Sequence, residues 1–322
     1  MSMTSEEYAI YIKNINKKKE EAEGLIKEAR AFARSLFNQK TYTEYLALMS
    51  QFHRYSFVNV LLIQWQFASA SYISGFDTWK TVAEDTYNNP SYQILLKKYI
   101  GKGIKILIPF TLVSSDNNQK ERSLINFPVT LYDVAQTNKL PLPETDPLNI
   151  DIIDKYLMSA LRSNTPYRFI LTDKTDKFIR SGMRSYFDNV NQFIVIDEAL
   201  AERERIVEYI RTWAKKDITN FIQQKGINES YSGFALSSVD FVVRSALSLN
   251  TSDIAFNYVS QYATANEDEF WAVLHCIQTV SHLIIERLTE DILDIHEAAT
   301  YDLESEDTLF DFDFAGVGSY EV

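Results

Sequence analysis

Apolar residues recur along the chain at two different spacings, and these divide it into helices and short strands. Tyr8, Ile12, Ile15, Ala22, Leu25, Ile26, Ala29, Phe32, Ala33 and Leu36 repeat at three- and four-residue intervals and predict one long helix over 5–38. Ser5 is a candidate N-cap, with Glu6 and Glu7 in the first turn where negative charge suits the helix dipole. The mixed-sign run Lys17-Lys18-Lys19-Glu20-Glu21 reads as a solvated face. A second helix over 43–52 leads into a stretch dense in Val58, Val60, Leu61, Leu62, Ile63, Trp65 and Phe67, too apolar for a solvent-facing helix. That core helix carries a few polar residues, Tyr55, Asn59 and Gln64, which must find partners or line a surface. A turn at Ser74-Gly75 and an aromatic segment with Trp79 follow.

Further on, 104–110 and 127–134 predict a pair of strands, and polar residues 114–122 an exposed loop between them. Asn138 to Pro147, with Pro141, Pro143 and Pro147, reads as a linker. Beyond it come a helix over 150–162 and β-rich runs at 167–172 and 192–197. More helices follow at 201–224, 235–249, 251–264 and 266–298. The expectation is an α+β protein of two domains, 1–145 and 146–300, with a tail at 301–322.

At 322 residues and 46% hydrophobic, the chain can bury such cores. Its one cysteine, Cys276, excludes an internal disulfide framework and suits a reducing compartment. No apolar run approaches the ~18 residues that span a bilayer, and no apolar signal core stands at the start, so a soluble cytoplasmic protein without a membrane partner is expected. A net charge of −12 argues against a nucleic-acid partner until it is divided. Residues 1–145 hold 17 Lys and Arg against 14 Asp and Glu, a net +3, and the remainder holds 15 against 30, a net −15.

In the basic half, Lys97, Lys98, Lys102 and Lys105 surround Gly101 and Gly103 at the start of a strand. This pattern suits phosphate contact or a plain basic hairpin turn. Candidate catalytic groups do not assemble. His296-Glu297-Ala298-Ala299-Thr300 lacks a second histidine, His275 and His282 fall on the polar face of the 266–298 helix, and His53 suits a structural or surface role. Cys276 has no base facing it. No cofactor is implied. The tail, with Phe310-Asp311-Phe312-Asp313-Phe314, suits either a solvated segment or a peptide that docks on a protein partner.

Five phrases in order resemble the N-terminal domain of ArdC-like proteins, a family that includes LtrC-like proteins of conjugative elements. They are Tyr55-Ser56 with Asn59; Leu62-Ile63 with Gln66; Gly75-Phe76-Asp77-Thr78-Trp79; Lys102-Gly103-Ile104-Lys105; and Tyr132-Asp133-Val134-Ala135-Gln136-Thr137. The resemblance implies single-stranded DNA binding. Its expected site is Tyr55, Asn59, Trp79, Lys80, Lys97, Lys98, Lys102, Lys105 and Gln136, with bases stacked on Tyr55, Trp79 or Tyr99. In many family members the second domain resembles a zinc metallopeptidase. Here its frame is present, but Arg211, Thr212, Lys215 and Ser237 stand where the ligands and base belong, and zinc wants His, Cys or carboxylate donors. The resemblance thus implies a pseudo-metallopeptidase without zinc, in a mobile genetic element, serving conjugation or antirestriction. The rival is an acidic, DNA-mimicking module that occupies a host DNA-binding protein.

Overall fold

A computed structural model describes residues 5–89, 91–116, 119–142, 150–163, 165–264 and 266–310. The architecture is α+β, mostly helical with two small sheets, and divides into two compact units. The first comprises Met1–Thr145 with Ser252–Gln278, and the second Asp146–Thr251 with Thr279–Val322. Among the described residues no helix is long and apolar enough to cross a membrane.

In the first unit, α1 (Ser5–Ala33) buries Ile15, Ala22, Leu25, Ala29 and Ala33, the helical stripe that the sequence predicts. A 3₁₀ turn, Arg34–Phe37, leads to Asn38, whose side chain accepts hydrogen bonds from Lys40 N and Thr41 N and starts α2 (Gln39–Gln51). Ser56 caps α3 (Phe57–Gln66), whose Val60, Leu61, Leu62 and Ile63 are fully buried. β1 (Ile73–Gly75) pairs antiparallel with Leu131–Asp133, and its last residue, Gly75, is the N-cap of α4 (Phe76–Tyr87) rather than a turn. β2 (Ile104–Asp116) and β3 (Gln119–Asp133) form an antiparallel hairpin with Ile104 opposite Leu131, and the sheet order is β1-β3-β2.

This hairpin is longer than the sequence suggests. Ser114, Ser115 and Asp116 pair with Glu121, Lys120 and Gln119, so the polar stretch read as a loop continues the ladder on both sides. Main-chain pairing needs no apolar side chain, and polarity alone misplaced the strand ends. The start of the expected linker is also structured. Asn138 N donates to Ile94 O, Tyr87 Oη donates to Lys139 O, and Leu140 is buried beside Trp79. Linker residues 143–147 lie outside the described residues.

Ser252–Gln278, which the sequence assigns to the second domain, belongs to the first unit. Phe256 meets Tyr42 edge-on at 5.1 Å, Phe270 lies 4.8 Å from Phe37, and Trp271 lies 4.8 Å from Phe57. No helix spans 251–264. Only Phe256 and Val259 are buried there, which leaves no helical stripe, and just the 3₁₀ turn Val259–Thr264 forms.

In the second unit, α5 (Ile150–Ser163) buries Ile153, Leu157, Ala160 and Leu161. β4 (Phe169–Thr172), β5 (Ser185–Asp188) and β6 (Phe193–Asp197) form a sheet of order β4-β6-β5, with β6 parallel to β4 and antiparallel to β5. α6 (Lys177–Arg180) is a single turn, and α7 (Glu202–Lys225) and α8 (Ser232–Ala246) complete the core with Tyr209, Ile210, Trp213, Phe234 and Val242. α9 (Glu267–Phe310) runs past the expected end at 298 into the acidic segment, of which 311–322 lie outside the described residues.

β2 is the outer strand of its sheet, so alternate residues direct their N–H and C=O away from β3. Asn59 bridges one such residue: its Nδ2 donates to Leu107 O at 2.8 Å, and Leu107 N donates to its Oδ1 at 2.8 Å. Gln66 treats Lys105 in the same way, at 2.8 and 2.9 Å. Pro109, two residues further, has no N–H to leave unpaired. Asn59→Ala is expected to leave a buried donor and acceptor unsatisfied and to lower stability by about 2–5 kcal/mol. Urea unfolding of the variant measures this, and a loss under about 0.5 kcal/mol would contradict the role.

Candidate nucleic-acid interface

The residues that the motifs nominate fall into two groups. Asn59, Trp79 and Gln136 are interior. Trp79 is 0% exposed and its Nε1 donates to Tyr132 O at 2.9 Å, with Tyr72 edge-on at 5.6 Å, so neither ring face can receive a base. Gln136 completes a capping box: Asp133 N donates to its Oε1, and its own Nε2 donates to Lys102 O. Asp133 meanwhile accepts from Ser71 N and Tyr72 N, which ties the start of β1 to the end of β3. These side chains are expended on architecture, which removes all three from the DNA-contact set.

Two lysines are engaged in ion pairs. Lys80 pairs with Glu84 at 3.7 Å along α4, and Lys105 pairs with Glu21 of α1 at 2.7 Å. Gly103 also has a packing role, since a Cβ there would sit 2.3 Å from Thr130 Cγ2 and 2.7 Å from Leu131 O. Gly101, at φ +72°, supplies the left-handed residue of the turn.

Lys97, Lys98 and Lys102 form the surface that remains. They are exposed, and among the described residues no carboxylate lies within ion-pair distance of them. The 3₁₀ turn Lys97–Tyr99 holds the first two, and Lys102 N donates to Tyr99 O. Lys98 Nζ lies 4.7 Å over the half-buried Tyr99 ring, and Phe67 meets Tyr99 edge-on at 6.2 Å. Trp65, at the end of α3 two residues before Phe67, is 43% exposed. In sequence, Trp65 and Phe67 lie in an apolar run and read as core. Their signal is that α3 ends there, which exposes Trp65 and brings Phe67 against Tyr99 of the basic turn.

Tyr55 lies elsewhere, in a cleft of about 590 Å³ at the start of α3, with Arg54, Ser56, Ile106, Ile108 and Trp271 among its walls. Burial, and secondarily the nearby Tyr72, raise its hydroxyl pKa, so it stays protonated at neutral pH.

The positions read as a lost metal site scatter. Arg211 and Lys215 are exposed, and Ser237 Oγ donates to Gly233 O within α8. Thr212 points inward, with its hydroxyl 2.8 Å from Ser185 Oγ. The inward face of α7 is instead Glu208 with Thr212. Ser185 Oγ donates to Glu208 Oε2 at 2.7 Å, and Arg184 bridges Glu204 at 2.7 Å and Glu208 at 3.0 Å. Cys276 is buried in apolar surroundings, which push its thiol up to about 12 and keep it from acting as a nucleophile.

No family model matches the sequence, and no curated protein matches it. Two crystal structures of the antirestriction ArdC protein from the R388 plasmid are similar, each at 10% identity. The metal-free one covers 74% of this chain and 85% of its own, with a TM-score of 0.39. The Mn(II)-bound one covers 73% and 84%, with a TM-score of 0.40. These are proteins of the kind that the N-terminal motifs resemble.

The Glu21–Lys105 pair gives a pH dependence. The hydrogen bond from Lys105, with further help from Lys18, lowers the Glu21 pKa below its ordinary 4.5, so the pair stabilises the fold above that value. The contribution is lost as pH falls through the lowered, folded-state value. Wild type is therefore expected to exceed Lys105→Ala by about 0.2–1 kcal/mol at neutral pH. The gap should close below pH 4.5 in paired denaturation curves.

Proposed function

We propose that this chain is a non-catalytic single-stranded-DNA-binding protein of a mobile genetic element, acting in the cytoplasm in conjugation or in protecting incoming DNA from restriction. The observation that carries the reading is the set of three exposed lysines on the turn around Tyr99, with Phe67 against the Tyr99 ring. Lysines neutralise phosphates, and rings stack on bases of any sequence, a combination that suits a single strand better than a duplex whose bases are already stacked. The ordered N-terminal motifs support the same reading.

The second unit is proposed to keep the frame of a metallopeptidase without its zinc chemistry. Its α7 offers cations outward, and inward a carboxylate already bound to Arg184. The rival reading, an acidic protein-interaction module, draws on a charge that the division into units makes less favourable to DNA. Ser252–Gln278 adds Asp253, Glu267, Asp268 and Glu269 and no Lys or Arg, so the first unit holds 17 cations against 18 acids, a net −1.

A mobility-shift titration separates the two readings. Direct binding of a labelled single strand at low salt is expected, with log affinity falling linearly with log salt. Replacing Lys97, Lys98 and Lys102 together by alanine should reduce that slope by about 2, at roughly 0.7 per phosphate contact. Trp65→Ala and Tyr99→Ala should each weaken binding by about 1–3 kcal/mol if bases stack on them. Absence of any shift by the full chain at low salt would favour the interaction module. For the second unit, metal analysis of untagged, dialysed protein is expected to find no stoichiometric zinc, and retained zinc would overturn the non-catalytic reading.

A further inference from the structure

Net charge conceals a basic segment in the second unit. That unit holds 15 Lys and Arg against 26 Asp and Glu, yet residues 168–184 alone hold five of those cations and two of those acids. Arg184 is paired with Glu204 and Glu208. Lys174, Lys177 and Arg180 are exposed, and among the described residues no carboxylate lies within ion-pair distance of them. The two acids of the segment serve the backbone of the turn. Asp173 Oδ1 accepts from Thr175 N, and Asp176 Oδ1 accepts from Phe178 N and Ile179 N. The bond from Ile179 N is the largest influence lowering the Asp176 pKa and the charge of Lys177 the smallest.

Phe178 stands among these cations and is 41% exposed. Lys177 Nζ lies 4.7 Å over its ring, and Tyr186 of β5 meets it at 4.8 Å. Tyr186 is itself fixed, since its Oη donates to Asp176 Oδ2 at 2.9 Å. Gly182, at φ +98°, and the bond from Met183 N to Phe178 O then return the chain toward β5. The ring is therefore held from beneath and offers its remainder to solvent. The lysine turn of the first unit has the same composition: Lys98 lies 4.7 Å over Tyr99, which Phe67 meets edge-on. In each unit a single helical turn carries two cations and a ring, and a third cation lies three residues beyond it, at Lys102 or at Lys174.

We infer that the connection from β4 to β5 is a second contact for single-stranded nucleic acid, with Lys174, Lys177 and Arg180 on phosphates and a base stacked on Phe178. The inference rests on the single-strand reading and extends it from one unit to both. Cations alone would suit any polyanion, and the exposed ring among them favours one with unpaired bases.

Fluorescence anisotropy of the full chain with a labelled oligothymidine strand, over a series of salt concentrations, tests the inference. The chain with Lys97, Lys98 and Lys102 replaced by alanine should keep residual binding at low salt. Adding Lys174→Ala, Lys177→Ala and Arg180→Ala to it should weaken that binding roughly tenfold or more and lower the log–log salt slope by about 2. Adding instead Lys155→Ala, Arg211→Ala and Lys225→Ala, which removes the same charge from exposed positions of the same unit, should leave both unchanged. Phe178→Ala should weaken the thymidine strand roughly fivefold or more, at an unaltered slope, while changing binding of an abasic strand less than about twofold.

No residual binding after loss of the first three lysines, or equal losses from the two added triples, would overturn the inference and leave the lysine turn standing. A lowered slope with no effect of Phe178→Ala would overturn it in favour of a plain polyanion patch. If wild type binds no strand at low salt, the single-strand reading falls and this inference with it. Should a variant fail to fold by circular dichroism, photocrosslinking of wild type to an iodouridine strand decides. Adducts at Phe178 support the contact, and adducts confined to Trp65 and Tyr99 overturn it.

Discussion

A carboxamide side chain offers a donor and an acceptor side by side, as a peptide unit does, and the first unit is organised around two of them. The outer edge of β2 would otherwise present unpaired main-chain groups, a costly feature inside a fold and an invitation to aggregation outside it. Asn59 and Gln66 satisfy two consecutive outward-facing residues of that edge. They lie seven residues apart on α3, about 10.5 Å at 1.5 Å per residue, while their partners Leu107 and Lys105 lie about 6.6 Å apart along the strand. The helix therefore crosses the strand obliquely, and neither can slide without breaking both pairs. The same register sets both ends of α3: one end carries Arg54 and Tyr55 into the cleft, and the other carries Phe67 against Tyr99 of the lysine turn.

This explains why the motif residues mislead when read as contacts. Asn59, Trp79, Asp133 and Gln136 stand out in the sequence because polar or amphipathic side chains in apolar surroundings need specific partners. Each partner is a main-chain group, and for Asn59 and Trp79 it lies about fifty residues away. Nothing in the local pattern distinguishes such a bond from a contact to a ligand. Helices α1, α3, α5 and α7 and the pairing of β2 with β3 were legible, because periodic burial is a local property. The ends of the hairpin were not, since its outer rungs carry polar side chains on a ladder made by the backbone.

Domain-wide charge failed for a related reason. The segment Ser252–Gln278 joins the first unit through Phe256, Phe270 and Trp271, an apolar match that the linear order conceals. Its acids shift the net charge from +3 to −1. Two of them, Glu267 and Asp268, are spent locally on Arg30 and Arg34. Fields of exposed charges decay over about 10 Å at ordinary ionic strength, so the potential at Lys97, Lys98 and Lys102 depends on near neighbours more than on a total. A local cluster without acidic partners is the sounder basis for expecting a polyanion.

The same local accounting applies to the second unit. Glu204 and Glu208 lie one turn apart on α7, and two carboxylates so placed repel each other unless a cation sits between them. Arg184, immediately before the outer strand β5, supplies it, and the pairing lowers the Glu204 pKa from its ordinary value. Ser185, itself hydrogen-bonded to Thr212, donates to Glu208 on that face. The positive charge these carboxylates require is thus covalently part of the chain. A guanidinium fixes their geometry and neutralises them, but it has no open coordination position from which to polarise a water or a carbonyl, the step that a hydrolytic metal performs. The inward face of α7 is thus committed to packing and to this internal ion pair, while Arg211 and Lys215 on its outward face stay exposed.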